Sequence, residues 1–317
     1  MPARAMFRRV TMPTRGGLRI LSADSLSMRA VRAATIATIA VVATSCVSDP
    51  QTTLGQLSEA RRLSSDLLVQ FTKAADAGNL SVMADTDDAS TAFAREAQAA
   101  TQVVQKGVDA LRPTLNGLGY TAEVGMLEEF ERRFAAYVAL DENILGLAVE
   151  NTNLKAQRLS FGSGPQAVDA FIGGLEAAKR SIAATDAWHA EALAATAIAA
   201  VREIQVLQAP HIAEAEESPM TRMEEQMASA EAAARRALEG LASLTPDGSK
   251  ARLTAAAAAL DQFMAVNAQI VTLSRRNSNV RSLALALGQK RMLTAGCEET
   301  LHALQDSLAQ RGVGGSR

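Results

Sequence analysis

The chain is written twice. Laid over itself at an offset of 126, residues 134–162 align with 260–288: Tyr137 meets Phe263, Ile144 meets Ile270, Leu147 meets Leu273, Asn151 meets Asn277, Asn153 meets Asn279 and Gly162 meets Gly288. Farther upstream the offset grows by about four residues, so the preceding turn is longer in the first copy. An internal repeat of this length is one supersecondary unit used twice, and each copy needs a neighbour to bury its apolar face. The repeat predicts two modules, 51–184 and 185–311, followed by a frayed Gly-rich tail at 312–317.

Each copy reads as helix. Of 317 residues 48% are apolar but only 3% aromatic, which leaves little for a β-rich core or a base-stacking surface. A first helix is expected from Gln51 to Lys73, breaking around Asp76, Gly78 and Asn79. A second runs from Ser90 to Arg112 and is ended by Pro113 and Gly117. The third carries Phe130, Phe134, Tyr137, Ile144, Leu147, Asn151 and Leu154 on one heptad-like seam, and Gly162 stops it. From Pro165 a seam through Val168, Ile172, Leu175, Ile182, His189, Leu193, Ile204 and Leu207 meets no breaker before Pro210. Unbroken, that helix would run about 65 Å and join the two modules. The expected fold is therefore all-α: two tandem antiparallel four-helix bundles sharing a long continuous helix.

Residues 1–45 have a different character. They carry seven Arg, no Lys and one acid, Asp24, and an apolar run from Ala33 to Ala43 follows Arg29 and Arg32. That run spans about half a bilayer core as a helix, which suits a secretion signal better than an anchor. Met28 to Ser45 alone would make a compact basic-then-apolar signal, with Met28 as the start. The small residues of Ala43-Thr44-Ser45-Cys46 resemble the lipobox of bacterial lipoproteins. The resemblance implies cleavage before Cys46, acylation of Cys46, a short acylated linker at 46–50 and a periplasm-facing body in a bacterial cell envelope. Val47 after Cys46 implies the outer membrane over the inner. Beyond residue 45 the chain carries 25 basic and 33 acidic groups, a net charge of −8 that makes nucleic acid a poor partner.

Glu150-Asn-Thr-Asn-Leu-Lys155 and Arg276-Asn-Ser-Asn-Val-Arg281, set on tandem antiparallel helices, resemble the periplasmic four-helix-bundle sensor domains of bacterial methyl-accepting chemoreceptors in their two-bundle form. That resemblance implies a sensory domain that binds a small anionic solute, or docks a signalling or chemoreceptor protein, between helices. No second transmembrane segment and no signalling coiled coil accompany it in this sequence.

Asn151, Asn153, Lys155, Asn277, Asn279 and Arg281 are the candidate ligand-binding residues, with the lysine and arginine supplying charge to a carboxylate. The structural alternative is that each seam Asn fixes helix register, as a single buried Asn does in coiled coils. Arg158, Arg275, Arg276, Lys290 and Arg291 form a basic cluster near these helix ends, read mainly as solvated surface. Asp186-x-x-His189 and Glu299-x-x-His302 carry the spacing of a carboxylate-bridged di-metal bundle, with Glu224, Glu225, Glu231, Glu239 and Asp261 as further acids. Acids are common in such sequences, so this reading stands second to a scaffolding lipoprotein. No phosphate loop, nucleophile elbow, zinc motif or cofactor motif occurs, and no catalytic role is expected. Cys297 reads as a small core residue, and Ala-rich seams are compatible with a homodimer.

Overall fold

The computed structural model describes residues 50–311. Residues 1–49, Cys46 among them, and the tail from Gly312 lie outside them, and with them the expectations of a signal and an acylated cysteine. Ten α-helices run through the described residues: α1 (Pro50–Met83), α2 (Asp87–Leu118), α3 (Thr121–Glu150), α4 (Thr152–Phe161), α5 (Ser163–Lys179), α6 (Ala187–Ala213), α7 (Glu217–Leu244), α8 (Lys250–Arg276), α9 (Ser278–Leu285) and α10 (Arg291–Gln310). A π-helical turn, Ala286–Lys290, joins α9 to α10. None of the described helices is long and apolar enough to cross a membrane.

Two four-helix bundles form, but they do not follow the two halves of the sequence. The first is built from α1, α2, α3 and α10, the second from α5, α6, α7 and α8. Each bundle takes three helices from one copy of the repeat and the fourth from the other. The chain passes from the first bundle to the second through α3–α4–α5 and returns through α8–α9–α10. The division expected at 184/185 is thus not a bundle boundary.

The continuous helix expected from Pro165 onward is also corrected. It breaks at 180–186, where α5 gives way to a short 3-10 turn at Ala184–Asp186, and α5 and α6 pack against each other as neighbours in the second bundle. The expected seam is buried at Val168 and Leu175 before the turn and at Ile204 after it, whereas His189 is exposed and the buried stripe of α6 begins at Ala190. Burying both stretches in one bundle requires the chain to fold back, and no Gly or Pro marks the place. Pro210, read as a stop, lies inside α6. Likewise α1 continues unbroken past Gly78, and α2 accommodates Pro113 within its last turns before ending at Gly119, whose φ of 69° suits a residue without Cβ.

The core of the first bundle is aromatic and aliphatic. Phe71 of α1 packs edge-on against Phe130, Phe134 and Tyr137 of α3, with centroids 5.1–6.0 Å apart, and Leu301, Leu304 and Leu308 of α10 close the other side. In the second bundle alanines line the seams, with Phe171, Leu175, Ile204, Leu241, Leu260 and Phe263 filling the centre. Burial along α1 and α6 coincides at a spacing of 130: Phe71 and Val201, Ala74 and Ile204, Gly78 and Gln208 are all buried. The four-residue growth of the offset is therefore structural, and it identifies which position of one bundle corresponds to which in the other.

Candidate functional site

The two connecting rods cross at the duplicated Asn motifs. Asn151 and Asn277, with φ of 48° and 53°, interrupt the rods in the left-handed region, which Asn tolerates better than residues with bulkier side chains. The break frees the first backbone N–H groups of α4 and α9, and each rod's caps come from the other. Thr152 N donates to Ser278 Oγ at 3.1 Å and Ser278 N to Thr152 Oγ1 at 3.0 Å; Asn153 N donates to Asn279 Oδ1 and Asn279 N to Asn153 Oδ1, both at 3.1 Å. Asn153 Nδ2 donates to Asn277 Oδ1 and Asn279 Nδ2 to Asn151 Oδ1. Residues 126 apart in sequence thus exchange hydrogen bonds across a local pseudo-twofold axis. Lys155 Nζ donates to Glu150 O at 2.7 Å, while Arg281 stays exposed and makes no ion pair within the described residues. The six candidate residues are brought to one place, where the four amides serve chiefly to hold the crossing. They line none of the four main clefts among the described residues.

Beside the crossing, in the second bundle, lies a polar network that its counterpart lacks. His211 is fully buried: Nδ1 is 2.7 Å from Ser274 Oγ, whose own proton goes to His211 O, and Nε2 is 2.9 Å from Glu224 Oε1. Arg275 grips the same carboxylate through Nε at 2.6 Å and Nη2 at 2.9 Å. The Arg275 guanidinium, and behind it the His211 ring, hold the Glu224 carboxyl below the usual carboxylate range. The equivalent positions in the first bundle, at spacings of 130 and 126, are Ser81, Ala94, Ala148 and Val149, so this network belongs to one copy only. The helix continues past Pro210 and so buries His211, which follows that proline directly.

In the first bundle the unusual feature is a charge pair. Lys290 and Asp141 are 2% and 4% exposed, with Nζ 2.6 Å from Oδ1, yet neither atom makes a well-angled hydrogen bond. Tyr137 is buried beside them with its hydroxyl unpaired, and Lys290 Nζ lies 5.6 Å from the centre of its ring. Burial pushes the Tyr137 hydroxyl and the Asp141 carboxyl up, the latter held back in part by the Lys290 amine. Gly78 of α1 makes the space: a Cβ there would come 2.3 Å from Lys290 Nζ and 3.0 Å from Asp141 Oδ1.

The second bundle shows what this site replaces. Asn267 corresponds to Asp141, Gln208 to Gly78 and Gly164 to Lys290. There Gln208 donates from Nε2 to Asn267 Oδ1 at 3.0 Å and accepts from Ser160 Oγ at 2.8 Å. A long polar side chain reaches the centre of both bundles, from α6 in one and from the π-helical turn before α10 in the other, and each time a glycine stands where the alternative side chain would have been. The neutral version is held by well-angled hydrogen bonds and the charged one by the 2.6 Å ionic contact. Lys290, read from sequence as part of a solvated basic cluster, is instead buried; the signal that could have found it is Asp141, one turn after Tyr137 on an otherwise apolar seam.

Lys290 ends the π-helical turn, a distortion that frequently accompanies functional sites. It also lines a cleft of ≈ 410 Å³ between the end of α1 and the π-turn, with Val82, Met83, Leu283 and Leu287 as apolar walls and Asn79, Arg291, Thr294 and Glu298 at its polar edge.

Comparison with protein-family models, with curated proteins and with solved structures finds no match to this chain. The assignment of function therefore rests on the site alone.

The remaining candidates are dispersed. Asp186 and His189 lie at the start of α6 in the second bundle, with His189 stacked on Trp188 and exposed; Glu299 and His302 lie on α10 in the first bundle, also exposed. The two pairs do not converge, and no group of three or more His, Cys, Asp or Glu able to hold a metal occurs among the described residues. Cys297 sits in the first core, where burial pushes its thiol up to about 12, and His302 faces away from it.

Proposed function

We propose that this chain is a membrane-anchored sensory module of a bacterial envelope, tethered through acylated Cys46, that binds a small solute in the cleft beside Lys290. The observation that carries the reading is the buried Lys290–Asp141 pair, which leaves hydrogen-bonding capacity unused at a π-turn next to an open cleft. A buried charge pair is costly unless its remaining hydrogen-bonding positions are filled, and this one lies beside a cavity of ligand size. The π-turn belongs to the rod α8–α9–α10, so a ligand that changes its winding acts on a rod that runs through the crossing into the second bundle. Such a module would bias contacts with a signalling partner by shifting the packing of its rods, without chemistry of its own.

Calorimetry and thermal-shift titration against organic acids, amino acids and nitrate tests the solute reading, and the mass of the N-terminal peptide from membrane fractions tests acylation. A scaffolding role is the second reading, favoured by the exposed apolar side chains Val69, Leu80 and Met83 along α1. It predicts that none of these solutes raises the melting temperature.

A further inference from the structure

The cleft beside the π-turn has a chemistry of its own, and a ligand class follows from it; this inference rests on the solute-binding reading above. Its walls are Val82 and Met83 from α1 and Leu283 and Leu287 from α9 and the π-turn; Met83 and Leu287 are respectively 75% and 66% exposed, which is unusual for large apolar side chains facing each other across a gap. One edge is cationic. Arg291 is exposed and makes no ion pair within the described residues, whereas the amine of Lys290, next to it in sequence, is turned into the core against Asp141. Asn79 and Thr294 add neutral polar groups. Glu298 lies two turns beyond Arg291 on α10, about 10 Å along the axis, and likewise makes no ion pair.

We propose that the cleft takes an apolar monocarboxylate, a short fatty acid or an aryl-substituted acid, with its carboxylate at Arg291 and its hydrocarbon body between Met83 and Leu287. An unpaired guanidinium binds a carboxylate by two parallel hydrogen bonds, which fixes the orientation of the head. The hydrocarbon walls reward an apolar tail, whose burial is favourable in proportion to its area. The far carboxylate of a dicarboxylate would lie between Met83 and Leu287, where the walls are hydrocarbon and offer a charge no partner, so the cleft disfavours a second acid group.

The test is calorimetric titration of residues 48–317, whose described part, 50–311, is one compact unit, with octanoate, octanol and suberate, while methyl NMR follows Met83 and the leucines. Octanoate is expected to bind one to one, to shift the Met83 and Leu287 methyl signals, and to bind about tenfold or more tightly than either octanol or suberate. Arg291→Gln, an exposed substitution that leaves the fold intact, is expected to weaken octanoate by about tenfold, and Leu287→Ser to weaken it as well. Equal affinity for suberate, or binding indifferent to Arg291→Gln, overturns the proposal. Capture of the chain by phosphatidylglycerol vesicles through Arg291, without binding of free octanoate, overturns it in favour of a bilayer lipid. If an amino acid or an inorganic anion shifts the Met83 and Leu287 signals and octanoate does not, the ligand class is wrong and the solute-binding reading stands; if no solute shifts them, both fall.

Discussion

Glu150 and Arg276 are the same position in the two copies of the repeat, and they face each other. Arg276 Nε and Nη2 lie 2.7 and 2.6 Å from the two carboxylate oxygens of Glu150, across the pseudo-twofold axis between the rods. In an exact repeat this position would oppose itself, and any charged residue there would meet its own charge. Divergence to opposite charges turned that repulsion into a bidentate pair, which also lowers the Glu150 carboxyl below its usual range. Because the pair is at the surface its contribution is small and salt-sensitive. Reversal of either charge alone is expected to lower the melting temperature in low salt. The exchange Glu150→Arg with Arg276→Glu should restore it, and the single-reversal effects should shrink as sodium chloride is added.

Asn277 holds a left-handed backbone and also supplies two hydrogen bonds, accepting from Asn153 Nδ2 at 2.8 Å and donating to Glu214 O at 2.7 Å. Asn277→Ala loses both roles and should cost about 2–4 kcal/mol in denaturant unfolding. Asn277→Gly keeps the backbone and loses only the amide, so it should be the milder by about 1 kcal/mol or more. Equal effects of the two substitutions would show that backbone strain plays no part at the crossing.

The Lys290–Asp141 pair separates stability from function. Removing one charge, as in Lys290→Met, strands the other in the core and should cost about 3–5 kcal/mol. The joint substitution Asp141→Asn with Lys290→Gln imitates the neutral amide pair of the second bundle and should recover most of that loss. Chemical denaturation measures both. A fully stable Lys290→Met protein would contradict the placing of the amine in the core.

Glu224 supplies the pH dependence. Its carboxyl is held below the ordinary value of 4.5 by Arg275 and then His211. A depressed folded value means that the unfolded chain binds the proton more readily, so the stabilisation is fully present above the unfolded value and is lost as pH falls through the folded one. The groups facing this carboxylate are His211 from α6 and Arg275 from α8, with Glu217 and Thr221 of its own helix sharing the guanidinium. Melting temperature should therefore fall as pH drops below about 4.5. In Glu224→Gln the protein should start less stable at neutral pH and fall less steeply; an unchanged slope would assign the acid sensitivity elsewhere.

How much of this was legible beforehand depends on what each residue touches. The Asn motifs announced themselves because both copies keep them, and at a self-facing axis each copy is the other's partner. The heptad seam of α3 predicted Phe130, Phe134 and Tyr137 in the core correctly, since helical periodicity alone decides which side chains share a face. The turn at 180–186 was not legible: Ile182 continues the apolar period through it, and what breaks the helix is the packing of α5 and α6 in one bundle. Lys290 was misread for a related reason. A lysine between Gln289 and Arg291 looks solvated, and only the π-turn and Gly78, more than two hundred positions away in sequence, carry it into the core.

The sequence by itself determined that the chain is helical and duplicated, and where its apolar seams lie, because those are properties of residues close together along the chain. The tertiary structure decided that the copies trade their fourth helices, that the rods cross at Asn151 and Asn277, and that one bundle centre is charged while the other is neutral. These depend on which surfaces meet in space. Two nearly equivalent copies can bury the same seams against themselves or against each other, and the choice falls to close contacts between residues far apart in the chain.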